Sequence, residues 1–317
     1  MMRQLKSLAV FVAAALLAAV PFAFSQNENQ GEGSVVVTVL GKKATTPAPA
    51  VSEQSIQVEV NGKKGEINNW QAFRGPQATL ELVLLIDEDA RVSLGREMDE
   101  IRHFIQNLPP NVKVAVAYMQ HGQSVLSGPF TTDRDAAAKE LRLPAGIPGY
   151  DASPYFCLSD LAKRWPSSDR SSRREVLMIT DGVDYYQRRY DPEDPYVLAA
   201  IDDAVRAHLV VYSIYWVNRG RIDASWYENA AGQNLLAQVD DATGGTSYWQ
   251  GMGNPVDLQP YFEDLLHRFD NQYELGFTAP LRGKPEVATM KIKIETPNVK
   301  VTAPKSAWVT PAGAPTP

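Results

Sequence analysis

Leu80-Glu81-Leu82-Val83-Leu84-Leu85-Ile86-Asp87 is a nearly unbroken apolar run that ends on a carboxylate, and Glu175-Val176-Leu177-Met178-Ile179-Thr180-Asp181-Gly182 repeats the pattern further along the chain. Such runs suit strands buried on both faces, as in parallel sheets. Between and after them, helical spacing alternates with strand-like runs. Met98, Ile101, Ile105 and Leu108 recur at helical spacing before Pro109-Pro110 stops them. Residues 112–118 and 124–130 read as strands, and residues 133–141 as a short helix with Asp133 as N-cap. Residues 194–208 carry Val197, Ile201 and Val205 on one helical face. Residues 209–216 read as a strand, 227–243 as a helix closed by Gly244-Gly245, 246–249 as a short strand and 258–269 as a helix. Alternation of this kind predicts right-handed βαβ units. The expected fold is therefore α/β, doubly wound, with a mostly parallel central sheet and helices on both faces.

The flanks read differently. Residues 34–40 (SVVVTVL) are a β-branched run, and Ile56, Val58 and Val60 alternate ahead of the turn signal Asn61-Gly62. Residues 44–50 (ATTPAPA) read as a linker. In the tail, residues 273–278, 287–294 and 300–302 look like strands joined by turns at Arg282-Gly283 and Pro297-Asn298. The C-terminal strands are expected to pair with the N-terminal ones into a small β layer beside the α/β body. The expected partition is an N-terminal β element and linker over 26–79, the main domain over 80–271, pairing strands over 272–310 and a loose tail over 311–317.

Arg3 and Lys6 precede a stretch, residues 8–24, that is almost wholly apolar, and Ala23 and Ser25 follow as an A-x-A-like cleavage signal. This predicts a signal peptide over residues 1–25, a mature chain beginning near Gln26, and a secreted or periplasmic protein. No later segment is long and apolar enough to span a bilayer. The net charge of -6 over 317 residues argues against nucleic-acid binding, which needs a concentrated basic face. Arg170, Arg173 and Arg174 cluster among serines and read as a solvated loop before a strand. Cys157 stands alone, so no internal disulfide exists, and its apolar neighbours make it a buried structural thiol.

Open α/β sheets bind ligands at the carboxyl ends of their strands. Asp87 and Asp181 both sit there, with Asp89 and Asp184 close behind in sequence. Convergent carboxylates are hard oxygen donors suited to Mg²⁺ or Ca²⁺. Without a cation, their repulsion must be relieved by water, backbone N–H groups or protonation.

The apolar strand ending in Asp87, and the later element Thr180-Asp181-Gly182-Val183-Asp184 after its own apolar strand, resemble the type A domain of von Willebrand factor. The order of elements from Leu80 to Phe269 agrees. The closing Tyr273-Glu274-Leu275-Gly276-Phe277 and the strands up to Val309 resemble a subgroup of secreted bacterial proteins related to that domain. The resemblance implies a metal-ion-dependent adhesion site, with pattern D-x-S-x-S, a Thr on a second loop and an Asp on a third. Asp87 and Asp181 match the two Asp positions. Asp89 replaces the first Ser, Arg91 the second, and Ile147 stands at the Thr position, where Ser153 is a substitute if the loop is remodelled. Arg91 offers donors only and cannot ligate a metal. The implied site, formed by Asp87, Asp89 and Asp181, is thus a weakened one for Mg²⁺ or Ca²⁺.

His103, His121, His208 and His267 show no zinc-ligand spacing, and no phosphate-binding or nucleophile-elbow motif occurs in a usable context. The run Tyr185-Tyr186-Gln187-Arg188-Arg189-Tyr190 carries residue types favoured at protein interfaces. The expected function is binding rather than catalysis. A protein or cell-envelope partner would be contacted through Ser153, Asp184, Tyr185, Tyr186, Arg188 and Arg189. The alternatives are a scaffold without metal, or a metal-assisted hydrolase using the same carboxylates.

Overall fold

The computed structural model describes residues 30–43, 48–144, 153–187, 189–217, 225–248, 251–281 and 283–313, leaving out the side chains of residues 76, 77, 91 and 92. The expected signal peptide, Ile147 and Arg188 lie outside the described residues, as does the side chain of Arg91. The chain opens with β1 (Gln30–Gly41), β2 (Ile56–Val60), β3 (Lys63–Lys64) and β4 (Glu66–Ala72). Asn61 and Gly62 turn β2 into β3 at φ 49° and 73°, left-handed values that this pair of residues tolerates.

The middle of the chain begins with β5 (Leu80–Asp87), a 3-10 segment Glu88–Arg96 and α1 (Met98–Gln106). There follow β6 (Val112–Gln120), β7 (Gln123–Leu126), α2 (Arg134–Lys139), α3 (Pro154–Lys163) and β8 (Arg173–Thr180). Next come α4 (Pro195–Arg206), β9 (Leu209–Tyr215), α5 (Trp226–Thr243), β10 (Ser247–Tyr248) and α6 (Gln259–Phe269). Capping follows the residues: Asp133 accepts from the amides of Asp135 and Ala136, Ser225 and Glu228 form a capping box, and Gly244 closes α5 at φ 86°. The chain ends with β11 (Gln272–Pro280), β12 (Glu286–Ile294), β13 (Val299–Thr302) and β14 (Ser306–Pro311).

Pairing of these strands overturns the expected doubly wound, mostly parallel α/β fold. The larger sheet is antiparallel, curled and eight-stranded, in the order β3-β2-β12-β14-β1-β11-β4 with β13 also paired to β1. It is no small layer. The second sheet, β10-β9-β8-β5-β6-β7, is mixed, because β7 returns antiparallel to β6 through a tight turn at His121 and Gly122. The expected pairing of C-terminal with N-terminal strands is present, but the extent of that sheet and its registers were not foreseen. β1 lies against β11 with Val35 opposite Leu275, and β2 against β12 with Val58 opposite Ile292, partners that no local pattern specifies. β4 escaped the sequence reading because Glu66-Ile67-Asn68-Asn69-Trp70 lacks a clean apolar face.

Parity along β5 divides the core of the mixed sheet. Leu82, Leu84 and Ile86 pack with Ile101 and Phe104 of α1 and Leu265 and Phe269 of α6. Val83 and Leu85 pack on the other face with Leu158 of α3, Ala200 of α4 and Leu235 of α5. All eight residues of β5 are buried, as the unbroken apolar run requires. A third cluster, including Val37, Val58, Phe277 and Val309, forms the core of the antiparallel sheet. A polar contact links the two sheets, Gln272 Nε2 of β11 donating to the Tyr212 hydroxyl of β9 at 3.0 Å, and Arg173 Nη1 of β8 donates to the Phe269 carbonyl at the end of α6 at 3.2 Å.

Candidate functional site

Asp87 ends β5 and caps the 3-10 segment that follows, its Oδ1 accepting from the Asp89 amide at 2.8 Å. β8 lies beside β5 in parallel register, Ile179 opposite Ile86. That register carries Thr180 to the same edge, where its hydroxyl donates to Asp87 Oδ2 at 2.6 Å. Asp87 is only 7% exposed. Burial above all, then the charges of Asp181 and Asp89, push its carboxyl well above the ordinary carboxylate range, against the pull of the Thr180 and Asp89 hydrogen bonds.

Asp181 begins the loop after β8. Its Oδ1 accepts from the Val183 amide at 3.0 Å and its Oδ2 from the Tyr185 hydroxyl at 2.8 Å. The turn depends on Gly182, whose φ is +67° and whose added Cβ would stand 2.5 Å from Leu236 Cγ. α5 approaches equally closely through Gly232, where a Cβ would lie 2.1 Å from the Asp181 carbonyl oxygen. Tyr155, fully buried at the start of α3, donates its hydroxyl to the Gly182 carbonyl at 2.7 Å. Two helices, α3 and α5, therefore hold the Asp181 loop in place.

Asp184 is buried and accepts from the Tyr186 amide at 2.9 Å. Burial raises its carboxyl, the neighbouring Asp194 adds to the rise, and the Tyr186 amide and Ser153 side chain oppose it. Ser153, fully buried, is at the N-cap position of α3. Beyond it the surface turns aromatic. Phe156, Tyr186 and Tyr196 form a trio, with ring centroids 5.2 Å apart for Phe156–Tyr186, 5.0 Å for Phe156–Tyr196 and 6.0 Å for Tyr186–Tyr196. Tyr186 is 53% and Tyr196 44% exposed. Arg189 and Tyr190 are exposed further along the loop.

The structure thus brings Asp87, Asp89 and Asp181 into mutual electrostatic reach, and Ser153, Asp184, Tyr185 and Tyr186 into one neighbourhood beside them. As placed, the carboxylates do not fit a divalent ion well. Both oxygens of Asp87 and both of Asp181 already take donors from the protein. Among the described residues no group of three or more His, Cys, Asp or Glu side chains is arranged to hold a metal. The sequence reading missed Thr180 as the donor to Asp87. It also missed Phe156, read only as one of the apolar neighbours of Cys157, and Tyr196, on a helix read only for its apolar face. The Thr of Thr180-Asp181-Gly182 was the one available signal.

No family model matches the sequence, and no curated protein matches it either. Among solved structures the chain is similar to the conserved hypothetical protein BatB from Bacteroides thetaiotaomicron, at 14% identity over 60% of this chain and 96% of that one, with a TM-score of 0.44. It is also similar to the VWA domain of SpRpn10, at 9% identity over 59% and 95% of the two chains, with a TM-score of 0.38. The chain resembles a von Willebrand factor type A domain. A third likeness is to the manganese-loaded TRAP protein of Plasmodium vivax, at 11% identity over 72% and 93% of the two chains and a TM-score of 0.36. Identities this low transfer no ligand and no partner. Among the described residues no helix is long and apolar enough to cross a membrane.

Proposed function

We propose that this chain is an exported binding protein that contacts a protein or cell-envelope partner through the carboxyl edge of its mixed sheet, and that it performs no catalysis. The observation that carries the reading is the trio Phe156, Tyr186 and Tyr196, partly exposed and set beside the buried carboxylates. Aromatic side chains supply large, stiff contact area at low entropic cost, and they are enriched at interface hot spots. The carboxylates below them are closed over by protein donors, so a partner would meet the aromatic ridge first. In this reading the divalent-cation site of Asp87, Asp89 and Asp181 is weakened, and Tyr185, Arg188 and Arg189 extend the contact. Export rests on residues 1–25, whose basic, apolar and small-residue segments have the order of a signal peptide.

The test is a photo-crosslinkable phenylalanine placed at Tyr186 and, as comparator, at the exposed Lys291 of β12 in the antiparallel sheet. In cells of the source organism, position 186 should give a discrete adduct that position 291 does not. Tyr196→Ala should weaken that adduct roughly tenfold, the loss expected from ~1.4 kcal/mol at one hot spot. Identical adducts from both positions, or none from 186, overturn the reading.

A further inference from the structure

At the opposite end of β8 from Asp181, a cavity of ≈ 410 Å³ opens between the two sheets. β8 runs from Arg173 to Thr180, which at ~3.3 Å per residue puts the cavity roughly 25 Å from the carboxylate cluster. The two sites are independent. Its lining includes the apolar Val35 of β1, Val205 of α4, Leu209 of β9 and Trp308 of β14, and the cationic Arg170, Arg173 and Arg174. The arginine cluster that reads as a solvated loop in the sequence therefore also lines the charged side of a half-open cavity. Among the described lining residues the one carboxylate is Glu274, and it already accepts from Asn69 Nδ2 at 2.8 Å.

We propose that this cavity binds a small amphipathic organic anion, with its carboxylate, phosphate or sulfonate group at Arg170 and Arg174 and its hydrocarbon or aromatic part against Val35, Val205, Leu209 and Trp308. The volume falls within the ~300–1,000 Å³ usual for small-molecule sites. These two guanidiniums repel each other. Burial pushes the Arg174 guanidinium down, and the charge of Arg170 adds to that push against the help of Glu81 and Asp169. An anion between them removes the repulsion and supplies charge-assisted hydrogen bonds. The apolar lining gives no purchase to a bare inorganic ion, because it offers only contact with carbon.

The probe is 8-anilinonaphthalene-1-sulfonate, titrated by fluorescence into the folded protein. Saturable binding is expected, weakened roughly tenfold by Arg170→Glu, since hydrogen bonds to charged groups are the strong ones. Arg170 is exposed, so this variant should keep the native near-ultraviolet circular dichroism and thermal midpoint. Arg174→Gln serves as the second variant and should weaken binding similarly. Octanoate should displace the probe, whereas octanol and inorganic phosphate at equal concentration should not. Sedimentation with phosphatidylglycerol vesicles separates the sources: co-sedimentation lost in Arg170→Glu assigns the anion to a lipid, and displacement by octanoate without co-sedimentation assigns it to a soluble acid. Absence of saturable binding, native affinity in Arg170→Glu, or displacement by octanol equal to that by octanoate overturns the proposal.

Discussion

The hydroxyl of Thr180 donates to Oδ2 of Asp87 across 2.6 Å, tying the carboxyl ends of two neighbouring parallel strands together at the candidate site. Both residues are buried, Thr180 completely. The bond offsets part of the cost of enclosing a carboxyl group beside Asp89 and Asp181.

Replacing Thr180 by Val keeps the shape and removes the donor. Leaving a buried carboxyl oxygen without its partner costs about 1–3 kcal/mol. Urea unfolding of Thr180→Val should show a loss of that order, and adding Asp87→Asn should make the two losses non-additive. Native stability in Thr180→Val would mean the bond contributes nothing.

Gly232 is the point where α5 touches the Asp181 loop. A methyl group there would lie 2.1 Å from the Asp181 carbonyl oxygen, so helix or loop must move. Gly232→Ala should therefore destabilise the fold by about 1–3 kcal/mol despite its higher helix propensity. It should also perturb the Tyr185–Asp181 hydrogen bond, which tyrosine ring resonances report. An alanine variant as stable as the native chain would show that α5 slides without cost.

Glu175, fully buried in β8, has its carboxyl pushed up to about 7 from an ordinary 4.5, by burial first, with Arg173, Gln272 and Tyr212 opposing. The folded state holds this proton more tightly than the unfolded chain. Its contribution to stability is therefore fully present below pH 4.5 and is lost as pH rises from 4.5 towards 7. The Glu175→Gln variant cannot ionise there. Relative to the native chain, it should gain stability progressively across that window, on the order of 3 kcal/mol in all. A difference between the two proteins that is flat with pH would refute the assignment.

A weakened cation site predicts that millimolar Mg²⁺ or Ca²⁺ moves the unfolding midpoint of the native protein by less than about 2 °C, the shift that ~1 kcal/mol gives in a domain of this size. Asp181→Ala should leave even that small response unchanged or smaller. A large shift that Asp181→Ala abolishes would show that the carboxylates release their protein donors and take the ion.

Much of the mixed sheet was legible because its signals are local. Unbroken apolar runs mark strands enclosed on both faces, and β5 and β8 are so enclosed. Period-3.6 spacing found α1, α4 and α6, and Asp133, Asn61-Gly62 and Gly244 set a cap, a turn and a stop through their own stereochemistry. The placement of Asp87 and Asp181 at strand ends followed from the same runs.

That the C-terminal strands pair with the N-terminal ones was also legible, but tertiary structure alone decided the registers and the size of that sheet. The eight-stranded antiparallel sheet pairs residues from opposite ends of the chain, Val35 with Leu275 and Gly31 with Pro311. Alternation states which face of a strand is apolar but not which distant strand will cover its edge. The site shows the same division. A sequence can place Asp87, Thr180, Phe156, Tyr186 and Tyr196 on their separate elements, but the hydrogen bond and the aromatic trio arise only when β5, β8, α3 and α4 pack together. Contacts of that kind depend on register and packing between elements, which are set by the burial of the whole core and not by any one segment.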